Sequence, residues 1–145
     1  MSNSLITPFL PPWMPIAIKE LGVSEVKGNL HNPKILEYHK TTTLAAKQDE
    51  VSWCSSFVNW VMKQAGIKGT GLANAQSWLK WGVGIDVPIY GSIVVLKRGK
   101  EPWMGHVGFL VYDSKERMMI LGGNQGDKVS IAPFHKKDLL GIRLI

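Results

Sequence analysis

The chain has 145 residues, the size of one ordinary domain. Its hydrophobic fraction of 45% and charged fraction of 19% exclude a disordered or fibrous protein. A single cysteine rules out an intrachain disulfide and any cysteine-rich zinc or iron–sulfur site. The formal charge of +6 favours polyanionic surroundings such as anionic lipid or an acidic cell wall. The basic residues are scattered, however, as in Lys97, Arg98 and Lys100 or Lys136 and Lys137. No recognisable nucleic-acid module accompanies them, so a nucleic-acid partner is not expected.

Met1 to Pro15 reads as a proline-rich arm preceding a single domain over residues 16–145. It lacks the basic residues of a signal peptide, and Pro8, Pro11, Pro12 and Pro15 interrupt its apolar run. No stretch of roughly 18 apolar residues predicts a membrane-spanning helix. Synthesis in the cytoplasm is therefore expected, with any action outside reached by a route other than a signal peptide.

Ile16 to Leu21 predicts one or two helical turns stopped by Gly22, and Ser24 to Asn32 a loop. Pro33 suits a first helical position, with Ile35, Leu36 and His39 following at helical spacing. The strongest helix spans about Trp53 to Ala65, where Cys54, Phe57, Val58, Val61 and Ala65 form an apolar stripe. Ser52 is its expected cap and Gly66 its terminator. Asn74 is placed to cap a short helix carrying Ala75, Trp78 and Leu79.

Thereafter the period changes to two. Strands are predicted over Ser92 to Leu96, His106 to Tyr112, Met118 to Leu121, Val129 to Ile131 and Gly141 to Leu144. Arg98 to Pro102 and Asp113 to Arg117 supply turns. Helices followed by strands predict an α+β domain with N-terminal helices packed on a C-terminal antiparallel sheet.

Cys54 falls in the first turn of the best helix, where free backbone amides and the helix dipole favour a thiolate. Its place on the apolar stripe equally suits a core residue. His106 opens a strand and is the candidate general base; a histidine there also has structural uses. Asn124, in the run Leu121-Gly122-Gly123-Asn124-Gln125, is placed to orient the histidine ring or simply to make a turn. His31, His39 and His135 lack metal-ligand spacing, and no metal or organic cofactor is called for. The glycines from Gly66 to Gly71 lack the lysine-serine or lysine-threonine ending of a phosphate loop. Asp49 and Glu50, being adjacent, do not make a glycosidase pair. Among the six tryptophans, Trp53 and Trp103 flank the cysteine and histidine segments and suit either core or groove.

The order of these blocks carries a resemblance. Trp53-Cys54-Ser55-Ser56-Phe57-Val58-Asn59-Trp60, then Gly105-His106-Val107-Gly108-Phe109, then Leu121 to Gln125, resembles the papain-like cell-wall cysteine hydrolases. These are the NlpC-type peptidases and the CHAP (cysteine, histidine-dependent amidohydrolase/peptidase) domains, particularly small phage and bacterial members. Gly22 to Glu25, Asn32-Pro33 and Leu140 to Arg143 extend the likeness over nearly the whole chain. Two departures stand out. CHAP domains often place a glutamate two residues before the asparagine, where this chain has Gly122. Many also carry a glutamine before the cysteine, where Asp49 and Glu50 are the nearby polar residues.

The resemblance implies a papain-like fold with Cys54 as nucleophile, His106 as base and Asn124 as orienting residue. Asp49, Trp53, Trp103 and Gln125 are its candidates for substrate contact or oxyanion support. It implies a peptidoglycan amidase or endopeptidase, endolysin-like, reaching the wall through a holin lesion. The alternatives are an antibacterial effector, delivered by a secretion machine with an immunity protein as partner, and an inactive wall-binding or phage structural protein.

Overall fold

The computed structural model describes residues 10–26, 31–43 and 52–145. Three helices come first: α1 (Trp13–Lys19), α2 (Pro33–His39) and α3 (Cys54–Gln64). A 3₁₀ segment, Ala75–Lys80, leads into strands β1 (Val83–Gly84), β2 (Ile93–Lys97), β3 (Gly105–Asp113), β4 (Arg117–Gly122), β5 (Ser130–His135) and β6 (Leu139–Leu144). They form one antiparallel sheet in the order β1-β6-β2-β3-β4-β5. This is the expected α+β, papain-like arrangement of helices followed by an antiparallel sheet.

Local chemistry explains the helix starts. Asn32 caps α2 by accepting from the Lys34 N–H at 2.8 Å, and Pro33 takes the first helical position, where its missing N–H costs nothing. Helix α3 starts differently from expectation. Trp53, not Ser52, is its cap residue, and the Trp53 side chain makes no cap hydrogen bond. The amides of the first turn have no partner within the helix. Every residue of α3 from Cys54 to Met62 is buried. An apolar stripe alone does not achieve that; the helix is enclosed because α1 and α2 pack on one side and β3 on the other.

The sheet is buried on both faces over its centre, which explains the unbroken apolar run Ile93 to Leu96 in β2. Val95, Val107, Phe109 and Leu121 join the helices in the main core. Val94, Leu96, Leu110, Met118 and Ile120 form a second cluster on the other face, partly covered by Phe134 and Leu139. Pro133 is tolerated in β5 because β5 is an edge strand. Helix α1 starts at Trp13, Trp13 and Met14 are buried in the main core, and the Trp13 indole donates to the Gly91 carbonyl at 2.8 Å. The described end of the proline-rich arm is thus part of the packed domain. Among the described residues, no helix is long and apolar enough to cross a membrane.

Candidate active site

Helix α3 begins at Cys54 and strand β3 begins at Gly105, and the packing of α3 on β3 brings Cys54 to His106. The Cys54 thiol lies beside the His106 ring and the Val107 backbone N–H, both of which favour its thiolate. Its surroundings pull its acidity in opposite directions. Burial disfavours the thiolate most strongly, while the His106 hydrogen bond, the His106 charge, the Val107 amide and the Arg98 charge favour it. The favourable contributions together win, and the thiol is held below its ordinary pKa. Cys54 is only 2% exposed, yet it lines a cavity of about 600 Å³ together with Ser52, Asn74, Arg98, Trp103 and Asn124.

The imidazole is held from three sides. His106 Nε2 lies 2.8 Å from Gln125 Oε1, Nδ1 lies 3.2 Å from an Arg98 guanidinium nitrogen, and the ring stacks on Phe134 at 5.0 Å. The orientation of the Gln125 amide is itself determined. Its nitrogen donates to the Ile120 carbonyl at 3.0 Å and the Ser130 carbonyl at 2.8 Å, so its oxygen faces the histidine. An oxygen there accepts, and His106 Nε2 therefore carries the proton. Arginine can only donate, so Nδ1 presents its lone pair. In its neutral form the ring is thereby set in the tautomer with the proton on Nε2 and with its one lone pair, on Nδ1, turned to Arg98.

Asn124 was the residue expected to orient His106, and the structure does not place it there. Its amide donates to Ser52 Oγ at 3.4 Å, with the backbone in the left-handed region at φ 60°. That conformation turns the Asn124 side chain to the lip of the cavity and the next side chain, Gln125, inward. Gln125, expected to support substrate or the oxyanion, is buried against the ring instead. The absence of a side chain at residue 122 makes this arrangement possible. A Cβ on Gly122 would lie 2.5 Å from Gln125 Oε1 and 3.4 Å from His106 Nε2. The place where CHAP domains often carry a glutamate is thus filled, from three residues further on, by the Gln125 amide. The pairing of Gly122 with a glutamine at 125 was the sequence signal for it.

The other candidates separate cleanly. Trp53 is fully buried, stacks with Tyr38 at 6.0 Å between ring centres, and donates to Glu25 at 2.8 Å; it is a core residue. Trp103 is 68% exposed and lines the cavity beside Cys54. Asp49 lies outside the described residues. No cluster of three metal-binding side chains occurs among the described residues. Arg98 received no role from sequence beyond surface charge, and only the fold shows it against the imidazole.

The rest of the cysteine motif builds the cavity walls. Ser55 Oγ donates to the Leu72 carbonyl at 2.7 Å and accepts the Trp78 indole N–H at 2.9 Å. Asn59 accepts the Gly71 N–H at 2.8 Å. These bonds fasten the segment that leads to Ala73, Asn74 and Ala75, one wall of the cavity. On the opposite wall, Gln76 donates to the Pro102 and Met104 carbonyls at 2.7 and 2.8 Å, fixing the turn between β2 and β3 that carries Arg98 and Trp103.

A thiol at a helix start, set beside an imidazole on an antiparallel sheet, defines the papain-like class of cysteine hydrolases. More specifically, the CHAP domain model matches residues 46–124, over half of the chain, and the chain belongs to the CHAP domain family. Among solved structures, the fold is similar to that of a protein from Staphylococcus aureus subsp. aureus Mu50 described as similar to lipoprotein, NLP/P60 family. The two share 18% identity with a TM-score of 0.51 over 99% of this chain. This chain spans 45% of that protein's chain. No curated protein matches in sequence.

Proposed function

We propose that this protein hydrolyses amide bonds of peptidoglycan, as an amidase or endopeptidase, with Cys54 as nucleophile and His106 as base. The observation that carries this reading is the packing of the Cys54 thiol beside His106, which favours its thiolate, with Gln125 bonded to the ring's Nε2. His106 Nδ1 takes the Cys54 proton and the thiolate attacks the amide carbonyl carbon. The Cys54 backbone N–H, in the first turn of α3, supplies a donor to the oxyanion. The C–N bond then breaks, with His106 returning the proton to the leaving amine. Water, deprotonated by the same nitrogen, cleaves the thioester and releases the carboxylic acid and the thiol. Gln125 replaces Asn124 in this scheme as the residue that positions the ring. The choice of peptidoglycan rests on membership of the CHAP family and on the +6 charge, which attracts the enzyme to anionic wall polymers.

Endolysin-like use, with release to the wall through a lesion in the membrane, remains part of this proposal. Digestion of purified peptidoglycan of several chemotypes by wild type and Cys54→Ala, with products identified by mass spectrometry, tests it. New amine and carboxyl ends from the wild type alone are expected. Wall binding without any product under reducing conditions would replace the hydrolase with a wall-binding protein.

A further inference from the structure

Arg98 stands at the boundary between two cavities. One, of about 600 Å³, contains Cys54 and Trp103; the other, of about 560 Å³, contains His106, Gln125 and Phe134. Arg98 and Asn124 line both. Among the described residues, neither cavity has an aspartate or glutamate in its wall, while the second adds Lys97 to Arg98. Arg98 and Lys97 form no ion pair with a described carboxylate. The only side-chain hydrogen bond of the guanidinium among the described residues is the one to His106 Nδ1. Two solvent-exposed cations in adjoining cavities beside the nucleophile, neither paired with a described carboxylate, can receive an anion.

The hydrogen bond to Nδ1 adds a chemical constraint. Once His106 has taken the Cys54 proton at Nδ1, that nitrogen is a donor and cannot accept from Arg98. The solvent-exposed guanidinium then turns to water or to an anion, and it faces a newly formed positive charge. A carboxylate on the substrate answers both needs. It supplies a bidentate partner for the fork of Arg98 and draws the cation off the base as the proton arrives.

We propose that Arg98, assisted by Lys97, selects substrates that carry a free carboxylate beside the scissile amide, seated in the cavity that His106, Lys97 and Arg98 share. This rests on the hydrolase reading for the identity of the scissile bond, but the binding of the carboxylate does not depend on turnover. Arg98 is accordingly a specificity residue. Gly99, at φ 77°, turns the chain immediately after it, and the Gln76 bonds hold the following turn, so the guanidinium is presented from a fixed base.

The test is calorimetric binding to Cys54→Ala of stem peptides L-Ala-γ-D-Glu-L-Lys in three forms. One keeps only the α-carboxylate of the D-glutamate, one only the C-terminal carboxylate, and one has both as carboxamides. At least one carboxylate form is expected to bind at least about tenfold tighter than the full amide, which a single charge-assisted hydrogen bond supplies. In Cys54→Ala/Arg98→Gln the preference should vanish, and in Cys54→Ala/Arg98→Lys it should be partly kept. Melting curves of the three variants establish that each is folded. Equal binding of all forms, absence of binding by any, or a preference that survives Arg98→Gln overturns the proposal. If the wild type cleaves no wall while the carboxylate preference stands, the hydrolase reading fails and this inference does not. Cleavage without the preference gives the converse.

Discussion

At the scale of single residues, the site turns on which of two adjacent amides faces the imidazole. Asn124 and Gln125 are both polar, both follow two glycines, and differ by one methylene. The positive φ of Asn124 and the empty space at Gly122 decide between them. Gln125 is further locked by its bonds to Ile120 and Ser130, so its oxygen cannot trade places with its nitrogen without setting an acceptor against two carbonyl acceptors. Gln125→Ala is therefore expected to lower kcat by at least about tenfold with KM little changed, since it loosens the base rather than the substrate. Asn124→Ala should cost less. Steady-state kinetics on a soluble wall fragment compares them, and a larger kcat loss for Asn124→Ala would return the orienting role to that residue.

At the scale of elements, α3 is both the scaffold of the core and the source of the thiolate. The same short run supplies Cys54 to the cavity, Ser55 and Asn59 to its wall, and Phe57, Val58 and Trp60 to the core. Ser56 bonds His39 of α2 at 3.0 Å, and the Trp60 indole donates to Glu37 of α2 at 2.9 Å. The helix thus cannot shift without moving nucleophile and wall together. Its close approach to the end of β4 requires Gly123, where a Cβ would lie 2.7 Å from the Trp53 ring and 2.8 Å from Phe57. Because the folded thiol is more acidic than an ordinary one, the thiolate persists as pH falls below about 8.5 and is lost only at the lowered value. Ultraviolet thiolate absorbance against pH, with Cys54→Ala as blank, should place the midpoint below that of a free thiol. Arg98→Gln should move it upward, because one of the charges that favours the thiolate is gone. A midpoint at or above the free-thiol value would mean that burial, the strongest opposing influence, prevails.

At the scale of the whole molecule, the N-terminal segment closes the fold. Trp13 is fully embedded in the core and its indole reaches Gly91, across 78 positions of sequence, at the turn before β2. Gly91 itself has φ 84°, and a Cβ there would lie 2.3 Å from Pro11. Helix α1 and the entry to the central strand are thereby packed as one unit. Trp13→Ala is expected to destabilise the protein by about 3–5 kcal/mol, read as a lowered midpoint in chemical denaturation. A change below about 1 kcal/mol would show that α1 is peripheral.

The sequence by itself determined much of this. Apolar periodicity located α3, the change of period located the strands, and Asn32-Pro33 located the start of α2, because each depends on neighbours within a few residues. The pairing of Cys54 with His106 was legible from residue type and from the family's block order. What only the tertiary structure decided depends on contacts remote in sequence. The burial of Trp13 in the core goes with its bond to the turn at Gly91, 78 positions away. The two-residue strand β1 exists only because β6 pairs with it. Ser52 was a plausible cap by residue type, but its hydroxyl is turned to Asn124. The exchange of Asn124 for Gln125 required the space above Gly122, and the place of Arg98 required the β2–β3 turn to fold over His106. Local pattern names the residues able to do chemistry; steric room and hydrogen-bond direction in the folded chain decide which of them meet.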